Sequence, residues 1–214
     1  MQDLDTVEPL ANRVERHAYD RLIMLSDGVF AIVITLSALE IHVPEHAQGG
    51  WVELLRALAL PLIVYAVSFV VTSFYWIGQR RALVRLRRVD GWFTALSLLF
   101  LAVVALIPAA TKLMIASGSG SGALELYLSL IGLIALIQGA AWAYAAFVAD
   151  LLVAQISPTY RWAHLVSSLA TPVVTCALSL VAVNVAGPAR WAAIGGIVAT
   201  ALLRRWSLAR WSTQ

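Results

Sequence analysis

Arg21-Leu22-Ile23-Met24-Leu25-Ser26-Asp27-Gly28-Val29-Phe30-Ala31-Ile32-Val33-Ile34-Thr35-Leu36-Ser37-Ala38-Leu39-Glu40 carries one ionisable side chain, Asp27, between its charged ends. From Leu22 to Leu39 the run is long enough to make ~27 Å of helix at 1.5 Å per residue, close to the ~30 Å of a hydrocarbon core. An aspartate inside such a run is costly and marks a candidate functional position.

The rest of the chain repeats the apolar pattern without the polar cluster. Of 214 residues, 61% are hydrophobic and 13% charged, and the mean hydropathy is +0.83. A soluble domain of this size cannot bury that much apolar side chain, so lipid is the expected solvent for most of the protein. Disorder and a disulfide scaffold are excluded by the same composition, and Cys176 has no second cysteine to pair with.

Six apolar spans are expected within one transmembrane domain, residues 1–214: about 22–43, 54–77, 92–114, 123–148, 163–186 and 189–203. The fold class is therefore an all-α membrane protein with six transmembrane helices per subunit. Breaks are read at Pro44 and Gly49-Gly50, at Gly78 and the basic run Arg80 to Arg88, at the Gly/Ser stretch 117–122, at Ser157-Pro158 and at Gly187-Pro188. The continuous runs lack the period-two alternation of a membrane β-barrel. The first run is too long for a signal peptide and no small-residue cleavage site follows it.

Six spans put the N-terminus, the second and fourth loops and the C-terminus on one side. That side holds twelve of the fifteen basic residues; Arg56, Lys112 and Arg190 lie on the other. The imbalance predicts cytoplasmic termini in a multi-pass membrane protein. Trp51, Trp76, Trp92, Trp162, Trp191 and Trp206 fall near span ends, as an interfacial belt requires. The net charge of +3 calls for no nucleic acid; the basic loop is read as a topology determinant touching anionic lipid.

Within the first span, Asp27 lies ~9 Å deeper than Arg21 and about 600° around the helix from it, so the two do not simply pair. Asp27 needs a partner on another helix, on another subunit or in water. The Ser26 hydroxyl can bond a backbone carbonyl or Asp27, and Gly28 permits close approach of a neighbouring backbone. A structural reading, in which Arg21 snorkels and Ser26-Asp27-Gly28 is a packing knot, stands beside the functional one. Ile32, Leu36 and Leu39 follow at i, i+4, i+7 on one stripe, with Thr35 on its flank. Such a stripe is ordinarily a helix seam or a lipid face. Brought to a common axis by several subunits, it makes a hydrophobic constriction.

Arg21-x-x-x-Leu25-Ser26-Asp27-Gly28, continued by Val29-Phe30-Ala31-Ile32 and Leu39-Glu40-Ile41, resembles the signature of the bacterial relatives of the endosomal and lysosomal potassium channel. Leu25 stands where that family usually has Phe. Tyr75-Trp76 and Ala105-Leu106-Ile107-Pro108 also look similar, whereas Gln79-Arg80 stands where the family has a histidine pair. The resemblance implies a homotetramer of six-helix subunits whose first helices line a pore for potassium. It places Ile32, Leu36 and Leu39 at apolar constrictions and Thr35 at a polar ring. It has Arg21, Ser26 and Asp27 brace the first helix, and it requires no cofactor or resident metal. There is no TVGYG stretch, so no re-entrant carbonyl filter is expected. Modest selectivity would then come from the lower cost of dehydrating potassium than sodium. Glu40, with Glu45 nearby, would concentrate cations at the outer mouth.

Three other readings are open to the residues, one of them a purely structural membrane protein that passes no ions. A secondary transporter could use Asp27 as its coupling carboxylate. An enzyme is disfavoured: aspartyl chemistry wants two carboxylates, His42 and His46 flank Pro44 in a loop, His17 and His164 are isolated, and no phosphate loop or nucleophile elbow occurs.

Overall fold

A computed structural model describes residues 10–42, 50–117 and 121–184, with positions 195, 196 and 199. Among the described residues the chain is helical and has no strand. The helices are α1 (Leu10–Leu39), α2 (Trp51–Val84), α3 (Gly91–Val104), α4 (Ile107–Ala116), α5 (Ser121–Ala143) and α6 (Pro158–Asn184). A π-helical turn, Tyr144–Val148, extends α5. Four stretches are long and apolar enough to cross a membrane: His17–Leu39, Trp51–Val84, Gly91–Ala116 and Gly122–Val148. Of the fifth expected span, 163–186, residues 163–184 lie in α6 and the last two lie outside the described residues. The sixth, 189–203, lies mostly outside the described residues, as do Pro44, Glu45, His46, Arg190, Trp191 and Trp206.

One expectation needs correction, and one span is built of two helices. Gly78 does not end the second span, because α2 runs on through Gln79, Arg80 and Arg81 to Val84. Gly78 instead makes room: a Cβ there would sit 3.3 Å from Gln138 Nε2 on α5. The third apolar run is two helices. Pro108 has no N–H to give the Val104 carbonyl and its ring clashes with that turn, so the ladder stops at Ala105-Leu106 and restarts with Pro108 in the first turn of α4. Ser121 and Gly122, expected in a linker, open α5, while two other junctions carry cap chemistry. Asp90 caps α3, its carboxylate accepting from the Phe93 N–H at 2.7 Å. Ser157 precedes Pro158 and accepts from the Tyr160 N–H at 3.3 Å.

The core has two parts. The larger gathers Phe30 and Val33 of α1, Val64, Val71 and Tyr75 of α2, Phe100 and Val104 of α3, and Tyr127, Ile131 and Ile134 of α5. The second lies toward the arginine-rich end, around Leu22, Leu83, Phe93, Trp142 and Leu152. There the α2–α3 and α5–α6 loops are joined by two backbone bonds, Arg87 N–H to Leu151 O at 2.8 Å and Val153 N–H to Arg85 O at 3.0 Å. Small residues let α5 and α6 pack closely: a Cβ on Gly132 would meet Thr175 Oγ1 at 2.9 Å, and one on Gly139 would meet Ser168 Cβ at 3.3 Å. His164 of α6 is buried and stacks on Trp142 with ring centroids 4.0 Å apart, a packing role.

Candidate functional site

Helix α1 has two faces. Leu22, Ser26, Phe30, Val33 and Ser37 recur every three or four residues, and all are buried. This face packs on α2, α3 and α4. Phe30 stacks in tilted fashion on Phe100, centroids 6.0 Å apart. Ser37 donates to the Val33 carbonyl at 2.8 Å. The Ser26 hydroxyl, expected to bond a carbonyl or Asp27, has no hydrogen-bond partner among the described residues.

The other face is bare. Ile32 is 58% exposed, Leu36 45% and Leu39 69%, although all three are large and apolar. Leu25 and Gly28 lie on this open side too, and no atom comes within 4 Å of where a Gly28 Cβ would be. Among the described residues Gly28 therefore serves no close helix contact. Thr35 is exposed beside the stripe, its hydroxyl 3.0 Å from the carbonyls of both Ala31 and Ile32. Its proton is thus held by its own helix, and an oxygen lone pair stays available to a group outside α1.

Asp27 finds its partner on α2. The Trp76 indole N–H donates to Asp27 Oδ1 at 2.7 Å, a short charge-assisted bond. The Arg80 guanidinium lies over the same indole, 5.6 Å from its centroid. So Trp76 is more than an interfacial residue: it clamps α1 to α2. Arg21 is exposed on the turn below. At the far end of α1, Glu40 Oε2 lies 3.4 Å from Lys112 Nζ of α4. Sequence reasoning missed both partners, 49 and 72 residues away from their carboxylates, because hydropathy and periodicity say nothing about which helices are neighbours.

The arrangement has the parts of a helix meant to be gripped on one side and presented on the other. Among the described residues, no group of three His, Cys, Asp or Glu is placed to hold a metal ion. Residues 21–108 match the family model described as endosomal/lysosomal potassium channel TMEM175. A protein of Chamaesiphon minutus named as a potassium channel is 32% identical over 147 residues, 66% of this chain and 72% of that protein. A protein of Streptomyces collinus, also named as a potassium channel, is 39% identical over 95 residues, 44% of this chain and 46% of its own length. The match thus spans under half of the Streptomyces relative. The crystal structure of a lysosomal potassium-selective channel TMEM175 homolog from Chamaesiphon minutus superposes with a TM-score of 0.74 at 23% identity, covering 90% of this chain and 98% of that one. That likeness concerns the fold.

Proposed function

This chain belongs to the TMEM175 family of endosomal and lysosomal potassium channels, and from that premise we propose that it is itself a potassium channel, a homotetramer in a bacterial cell membrane with both termini cytoplasmic. The open faces of four α1 helices line the pore. Ile32, Leu36 and Leu39 form its apolar constrictions and Thr35 its polar ring. Arg21, Ser26, Asp27 and Gly28 belong to the structural network at its inner end, and Glu40 stands at the outer mouth.

One observation carries this reading: the stripe Ile32, Leu36, Leu39 is bare on the side of α1 opposite its packed face. A ring of such side chains gives a permeating ion almost no ligands, so passage depends on how readily the ion sheds water. Potassium sheds it at lower cost than sodium, and modest selectivity follows without a carbonyl cage. The Thr35 oxygens supply the few polar contacts at that level. Asp27, held by the Trp76 indole, is explained as a brace and leaves the transporter alternative without a separate observation in its favour.

The test is flux through purified protein in liposomes. Potassium passes faster than sodium with no energy source, and Ile32→Asn raises the flux while narrowing the difference between the two ions. Saturable, proton-coupled transport that depends on Asp27 would replace the channel by the transporter.

A further inference from the structure

Glu40 directly follows Leu39, the last residue of α1, so it stands at the end of the helix whose open face carries Ile32, Leu36 and Leu39. Its carboxylate is not alone there. Lys112 Nζ reaches to 3.4 Å, with the lysine side chain 65% exposed and the glutamate 21%. The lysine comes from α4, the short helix that exists because Pro108 interrupts the third apolar run. Its neighbour Thr111 is buried, 2.9 Å from Ser68 Oγ, and the Tyr127 hydroxyl donates to that same Ser68 oxygen at 3.1 Å. The backbone that carries Lys112 is thereby fixed against α2 and α5. The ammonium is delivered to the end of α1 by a rigid mount.

We propose that Lys112 sets the conductance of the outer mouth by acting as a tethered cation on Glu40. This rests on the reading that the α1 open face lines the pore. A potassium ion arriving at the mouth competes with the ammonium for one carboxylate in each subunit. While the pair is closed, the mouth carries little net charge and gathers few cations. Without the ammonium, the ring of carboxylates is unopposed and raises the local cation concentration. Both groups reach water, so the effect is screened by salt: the Debye length is ~10 Å at ~0.1 M and ~3 Å at ~1 M.

The experiment measures potassium flux, or single-channel conductance, in liposomes at those two salt concentrations. Lys112→Gln, with Lys112→Met as a second neutral variant, should conduct about two- to three-fold more than wild type at low salt and about the same at high salt. Lys112→Arg keeps the cation and should match wild type. Glu40→Gln combined with Lys112→Gln should remove the gain. The proposal is overturned if the neutral variants match wild type at low salt. It is equally overturned if their gain persists at high salt or in the double variant, since a merely structural tie would behave so. A wild type that carries no potassium at either concentration sinks the channel reading itself, and the role of Lys112 with it.

Discussion

The packed and open faces of α1 are built from similar residues and have opposite fates. Phe30 and Val33 are 1% and 2% exposed, whereas Ile32, next to Val33, and Leu36, three residues past it, are 58% and 45% exposed. Composition does not separate them; a rotation of about 100° per residue does. The packed face is answered by Phe100, Tyr75 and their neighbours within the same chain. Among the described residues nothing covers the open face. Changes on the first face should therefore cost stability, and changes on the second should alter transport while the subunit stays folded.

The strongest challenge to that division is Phe30→Ala. It empties a fully buried aromatic site, and the expected loss is ~3–5 kcal/mol, read as a large fall in thermal midpoint in detergent. Gly132→Ala should follow. Its new methyl would stand 2.9 Å from Thr175 Oγ1, and the α5–α6 seam should lose ~1–3 kcal/mol on the same scale. Trp76→Phe keeps an aromatic ring, though a smaller one, and deletes the N–H that Asp27 accepts; the loss should be ~1 kcal/mol, since Asp27 is exposed enough to find water. Smallest for stability is Ile32→Asn, within ~0.5 kcal/mol of wild type, although its effect on flux should be the largest of the four. A drop for Ile32→Asn as deep as that for Phe30→Ala would erase the distinction between the two faces.

Much of this was readable beforehand, for identifiable reasons. Hydropathy locates spans because lipid tolerates few alternatives to a long apolar helix, and the stripe at 32, 36 and 39 follows from helical geometry alone. The signal at Pro108 was present too, but an apolar run reads the same whether its helix is whole or broken. Gly78 misled because glycine permits both a turn and a close contact, and only the position of Gln138 decides between them. Likewise Gly132 and Gly139 gain meaning only once Thr175 and Ser168 stand opposite. The Asp27–Trp76 and Glu40–Lys112 pairs are tertiary facts, set by which helices pack together. The stripe itself is visible in the sequence; what the fold adds is that no other part of the described chain covers it.

The most direct measurement places a cysteine on the open face. In a Cys176→Ser background, Leu36→Cys channels in liposomes are exposed to a water-soluble cationic thiol reagent while potassium flux is recorded. Leu62→Cys, on an exposed apolar position of α2, is treated in parallel. If the open face of α1 lines the conducting path, the reagent stops flux through Leu36→Cys and leaves Leu62→Cys unaffected. Flux that continues through modified Leu36→Cys, or that stops only when the cysteine is on α2, would contradict the assignment.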